Sequence, residues 1–151
     1  MSIEIRPARI TDAPRLAELT GVLGYPAAVD VFTVRLARLL AQRDEEVLVA
    51  ETSVGEIVGW IHAAEHALLE VDPRCEILGL VVDAAHRNLG AGRQLVAAAE
   101  DWATRRGLSE MSVRSNVLRQ ESHPFYERLG YVRVKTQHAY RKGLTVPTER
   151  P

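Results

Sequence analysis

The chain has 151 residues, 46% of them apolar and 26% charged, the balance of one soluble globular domain that can bury a core and keep a cleft. A net charge of −1 and 5% aromatic residues supply neither a basic field nor a stacking surface for nucleic acid. Cys75 is the one cysteine, so no internal disulfide framework is possible. There is no apolar leader and no apolar run of membrane-spanning length, so a cytoplasmic protein that contacts neither membrane nor nucleic acid is expected.

In chain order, Ile3-Glu4-Ile5-Arg6 alternates and reads as a strand ending at Pro7. Thr11-Asp12-Ala13-Pro14 starts a helix that runs to about Leu23, and Gly24-Tyr25-Pro26 breaks it. A second helix over 29–42 places Phe32, Leu36, Leu39 and Leu40 on one face. Asp44-Glu45-Glu46 reads as a solvated turn. Residues 47–51 and 57–63 form a hairpin through Ser53-Val54-Gly55-Glu56, while 65–74 fits either strand or loop. Cys75 to Asp83 is nearly all apolar, the pattern of a strand covered on both faces. A turn at 84–89 then opens a helix over 90–106, closed by Gly107, with Leu95, Ala98, Ala99 and Trp102 toward the sheet. A strand over 110–115, a short helix over 123–129 ended by Gly130, and a last strand region over 131–140 complete a β-α-α-β-β-β-α-β-α-β order. This order predicts an α/β mixed sheet with helices on both faces, one domain over 1–143 and a loose tail over 144–151.

The segment that carries chemistry is Arg87-Asn88-Leu89-Gly90-Ala91-Gly92-Arg93, a turn between a buried strand and a long helix. The first turn of a helix has unpartnered N–H groups at the positive end of its dipole, where a phosphate fits. Gly90 and Gly92 remove side chains that would hold an anion away, and Arg87 and Arg93 add charge. A dinucleotide fingerprint would need a third glycine at Leu95, and a Walker loop would need Gly-Lys-Ser/Thr; neither is present. Close packing of the helix start against the sheet would also account for a glycine pair, so the turn alone leaves both readings open.

The Arg-x-x-Gly-x-Gly spacing after a buried strand, with His123-Pro124-Phe125-Tyr126 ahead of Gly130-Tyr131, resembles the GCN5-related N-acetyltransferase superfamily. Residues 88 and 89 depart from its usual glycine and basic residue. The resemblance implies a mostly antiparallel twisted sheet flanked by helices, with splayed central strands. It also implies acetyl-CoA as co-substrate, held by 87–93 at the pyrophosphate and by the backbone of Leu80, Val81 and Val82 and by Asn116 at the pantetheine. Tyr126 matches the general acid, whose phenol carries its proton at neutral pH. Glu76, fourteen residues before Gly90, matches a strand glutamate that serves as base, and a bulge near Gly79 is expected to set its face. Each has a plainer alternative: an edge carboxylate for Glu76, a packed ring for Tyr126, a turn asparagine for Asn116.

Tyr25, His62 and His123 are candidates for the acceptor side, with Glu76. The acceptor implied is a small-molecule or peptide amine, and the superfamily often forms homodimers. No metal-ligand spacing is present among the five histidines and the cysteine. The other readings are a non-catalytic acyl-CoA-binding regulatory module and a nucleotide-binding domain of another type.

Overall fold

The computed structural model describes residues 2–22, 24–115 and 122–146. They fall into two units, Met1–Arg114 and Ser115–Pro151.

In the first unit, strands β1 (Ile3–Pro7), β2 (Glu45–Thr52), β3 (Ile57–His66), β4 (Arg74–Val82) and β5 (Met111–Val113) form one sheet in sequence order. The first four pair antiparallel, and β5 joins β4 in parallel. Helices α1 (Ala13–Val22) and α2 (Val29–Leu40) lie between β1 and β2, and α3 (Ala91–Arg105) precedes β5. Neighbouring residues of a strand project to opposite faces, and β3 shows which helix covers which. Trp60 Nε1 donates to Thr20 Oγ1 of α1 at 3.2 Å. A Cβ at Gly59 would meet the Leu95 side chain of α3 at 3.2 Å. Thus α1 and α2 cover one face and α3 the other.

The α1/α2 layer packs Leu16, Leu19 and Leu36 on Val47, Val49 and Val81, with Phe32 and Leu39 at its margin. Leu40, expected on that face, is exposed, because the stripe ends with Leu39 as α2 ends. On the other side Leu95, Val96, Ala99 and Trp102 are buried. Each face therefore has its own apolar layer, and a central strand read as continuously apolar is the result.

Arg6 ties the entry of the chain to the sheet. Its guanidinium donates to Asp12 at 2.9 and 3.0 Å and to Glu51 at 3.2 and 3.3 Å. Burial pushes the Asp12 carboxyl up, but the bonds from Arg6 and from the Arg9 N–H outweigh it and hold it below the usual carboxylate range.

β2 and β3 are longer than the pattern predicts, and β5, expected over 110–115, is shorter. β2 begins at Glu45, so Glu45 and Glu46 belong to the sheet and not to a solvated turn, and β3 extends to His66. Pairing decides this: Glu45 stands opposite Ala64 in an antiparallel ladder that satisfies both backbones.

In the second unit, α4 (Ser122–Arg128) ends ahead of Gly130, whose φ of 92° suits a glycine. The strand expected over 131–140 is not present: no ladder forms there, and Val132, Val134 and Tyr140 are exposed. Alternation marks which residues suit a strand, but a strand exists only where another edge takes its hydrogen bonds. Among the described residues, no helix is long and apolar enough to cross a membrane.

Candidate active site

The site grows from an irregularity in β4. His62 pairs with Gly79 and Ala63 with Ile77, so Leu78 is left without a partner. The bulge thus falls one residue before the expected Gly79. Val81 and Gly79 share the α1/α2 face with Trp60 and His62, their partners on β3. Strict alternation would then send Glu76 to the α3 face; the extra residue returns it to the α1/α2 face, opposite Ala64.

Glu76 is buried there at 6% exposure, and Ser112 Oγ of β5 donates to its Oε1 at 3.3 Å. This burial decides against an edge carboxylate pointing to solvent. The β4–β5 ladder covers only Cys75 to Ile77 on β4 and Met111 to Val113 on β5. Beyond it, Leu80, Val81 and Val82 pair with β3 on one side and, among the described residues, with no strand on the other. Their outward N–H and C=O groups are placed to bond an extended amide-bearing chain.

Past Val82 the chain makes a 3-10 turn, Ala84–Leu89, before α3. Asp83 opens it by accepting from the Ala85 N–H at 3.2 Å. That bond, with His86 and Arg15 nearby, holds the Asp83 carboxyl below its usual range. Arg15 of α1 reaches across, with NH2 3.2 Å from Asp83 and 3.8 Å from Glu56 and Nε donating to the Ile57 carbonyl at 2.9 Å. Glu56, Asp83 and His86 bring potential ligand atoms within 4.8 Å of one another. With Arg15 supplying the cation at that point, the group anchors the turn. It joins three distant stretches of chain, which sequence spacing could not reveal.

Gly90 caps α3 at φ 76°, in the left-handed region, and offers no side chain to the helix start. Gln94 N–H returns to the Gly90 carbonyl at 3.0 Å, so the amides of Ala91, Gly92 and Arg93 precede the intrahelical ladder. A Cβ at Gly90 would lie 3.4 Å from the Arg93 guanidinium, which folds back over the turn. Arg87 is exposed beside it. An anion at this helix start would find free amides, the positive dipole end and Arg93 together.

On the acceptor side, His62 Nε2 lies 2.7 Å from Glu45 Oε1. Glu45 is the residue that the sequence reading missed; its position two before Val47 on an alternating strand was the available signal. His62 also lines a cavity of about 160 Å³ between α1, α2 and the sheet, walled by Leu16, Phe32, Leu36, Leu39, Val47 and Trp60. Tyr25 is exposed in the loop between α1 and α2.

Tyr126 and His123 belong to α4 of the second unit. The Tyr126 ring is half-buried and meets Phe125 and Tyr131 edge-on at centroid distances of 5.0 and 5.8 Å. Burial pushes its phenol above the usual value. Asn116 lies outside the described residues. Cys75, in β4, is fully buried, and burial pushes its thiol up to about 11, so it is no nucleophile at neutral pH.

The acetyltransferase (GNAT) family model matches residues 17–131, which spans the bulged strand, the glycine turn and α4. The chain belongs to the GNAT family. It is 35% identical over 72 residues to the uncharacterized N-acetyltransferase YhdJ of Bacillus subtilis, a match that covers 47% of this chain and 45% of that protein. The chain thus spans under half the length of this curated relative. Its fold matches the aminoglycoside 6'-N-acetyltransferase AAC(6')-Ih of Acinetobacter baumannii at a TM-score of 0.85, with 20% identity over 95% of this chain and 100% of the other. It also matches AAC(6')-Iy, solved with a CoA-linked bisubstrate analogue of acetylneamine, at 0.84, with 22% identity over 95% and 100%. The fold is therefore the GNAT fold, a five-stranded, mostly antiparallel sheet flanked by helices.

Proposed function

We propose that this GNAT protein transfers an acetyl group from acetyl-CoA to a primary amine by direct attack. The observation that carries the proposal is the uncapped start of α3 behind Gly90, one short turn after an edge of β4 that no strand among the described residues pairs. One end suits a pyrophosphate and the other the amides of pantetheine. The AAC(6')-Iy structure holds a CoA-linked analogue, which supports the same donor.

In this reading Arg87, Arg93 and the amides of Ala91–Arg93 take the pyrophosphate, with residues 88 and 89 completing the turn. The backbone of Leu80–Val82, with Asn116, holds the pantetheine. Glu76 takes a proton from the incoming ammonium, directly or through water. The neutral nitrogen attacks the thioester carbon, a backbone N–H of the β4 edge bonds the oxyanion, and the C–S bond breaks as the amide forms. The attacking nitrogen releases its second proton to water, and Tyr126 gives its proton to the departing thiolate and recovers one from water. The net products are the acetylamide, free CoA and one proton. Raised by burial, the Tyr126 phenol keeps its proton through the neutral range.

The acceptor is a small molecule or peptide amine, met by residues of the α1–α2 side, Tyr25 and His62, and by His123. A polyamino sugar is what the names of two similar structures suggest. Calorimetry with acetyl-CoA, followed by thiol release across a panel of amines, tests the reading. Binding followed by amine-dependent release is expected. Absence of acetyl-CoA binding would sink it, and binding without turnover on any amine would favour a regulatory acyl-CoA-binding module.

A further inference from the structure

The cavity beside His62 speaks to the acceptor's chemistry. Apart from Arg35 on α2, its walls from α1, α2 and β2 are aliphatic or aromatic, and Trp60 closes it on β3. A polyamino sugar would leave its hydroxyl and ammonium groups against these walls without partners, which binding sites reject strongly. Arg35 is the one fixed charge in the lining and repels further cations. An apolar cavity of about 150 Å³ holds one benzene ring, so about 160 Å³ accepts one ring or a branched alkyl group of that size.

The polar end of the cavity is single-sided. His62 is held by Glu45 at 2.7 Å, so the pair presents a carboxylate-backed imidazole to one cationic nitrogen. Across the β3–β4 pairing, His62 faces Gly79, which carries no side chain, and Glu76 follows on the same face beyond the bulge. A Cβ at Gly79 would lie 2.9 Å from the Trp60 ring, so the ring occupies the space that glycine leaves. An amine whose body fills the cavity presents its nitrogen at His62, on the face of the sheet that also carries Glu76.

Resting on the acetyltransferase reading above, we infer that the acceptor is a monoamine with a compact apolar body, an arylalkyl or branched alkyl amine, and not a polycation. The cavity takes the apolar body and the His62–Glu45 pair receives the ammonium end. Thiol release from acetyl-CoA is measured with 2-phenylethylamine, 3-methylbutylamine, ethylamine and kanamycin, alongside calorimetry with acetyl-CoA alone. The two apolar amines are expected to exceed ethylamine in kcat/KM by about a thousandfold or more, since each carries at least three further carbons and a methylene in an apolar pocket is worth roughly tenfold or more. Leu39→Trp, at the half-buried margin of the cavity, should raise KM for 2-phenylethylamine about tenfold while acetyl-CoA affinity holds. Phe32→Ala should shift preference about tenfold toward a naphthylalkyl amine, a gain that a misfolded variant cannot give. Kanamycin turned over as well as the apolar amines would overturn the inference, as would acetyl-CoA binding with no turnover of either apolar amine. A chain that binds no acetyl-CoA would instead fail at the calorimetry step and take the parent reading with it.

Discussion

Tyr126, Glu76 and Cys75 differ in what their surroundings do to a proton. Burial against Phe125 and Tyr131 favours the neutral phenol of Tyr126. If it is the acid, Tyr126→Phe should lower kcat about a hundredfold with acetyl-CoA affinity kept, and the wild-type alkaline limb should lie above pH about 10. Unchanged turnover in that variant would remove the role and leave the family assignment standing. Glu76→Gln keeps the shape of the side chain and its contact with Ser112 while losing the basic oxygen. A drop in kcat of about a hundredfold with unchanged acetyl-CoA affinity is expected, and an equal loss of both would mark Glu76 as structural. Cys75, with its thiol near 11 and no exposure, should resist a thiol reagent in the native chain and react once the chain is unfolded. Fast native labelling would contradict its burial.

Among the elements, two glycines separate packing from ligand binding. A Cβ at Gly59 would come within 2.8 Å of the Val81 carbonyl oxygen, a backbone atom that cannot turn aside. At Gly90 the constraint is the left-handed φ, and the space beside it leads to the Arg93 guanidinium. Gly59→Ala should therefore cost about 1–3 kcal/mol of stability by overpacking. Gly90→Ala should cost about 1 kcal/mol, a few degrees in Tm, yet weaken acetyl-CoA binding far more than Gly59→Ala does. Thermal melts and calorimetry on both variants check this crossed order; the reverse order would misplace the anion site. The same elements show what a sequence can disclose. Leu95, Ala99 and Trp102 recur at helical spacing, so α3 and its buried face were legible, as was the glycine turn. The His62–Glu45 pair was not, because strand register joins residues 17 apart and no local pattern encodes register. Residues 131–140 alternate correctly and still form no strand, since pairing depends on a partner edge that alternation cannot supply.

For the molecule as a whole, acid should be the damaging direction. Asp12 and Asp83 both have folded values held below the ordinary carboxylate value. Such groups contribute stability that is complete above the unfolded value, near 3.9, and lost as pH falls through the folded values. Glu46 works in the opposite sense, because burial raises it, so its contribution is present below its ordinary value and fades as pH rises. Two lowered carboxylates against one raised give a net loss of stability below pH about 4, measurable as a falling denaturation midpoint in urea. Asp12→Asn should flatten that fall, and an unchanged profile would take the Arg6 bridge out of the account. Leu78 bears on the molecule at the same scale. Its unpaired position works as a frameshift within β4, so that the residues before it and those after it are read in different frames. Removing that one residue would join Gly79 and Ile77 in an unbroken ladder with His62 and Ala63, leaving Glu76 and Val81 on one face and taking away only the bulge between them. A protein lacking Leu78 should therefore fold with a regular β4 and lose only the local bend that the bulge gives the strand, which a thermal melt beside acetyl-CoA calorimetry and turnover would check.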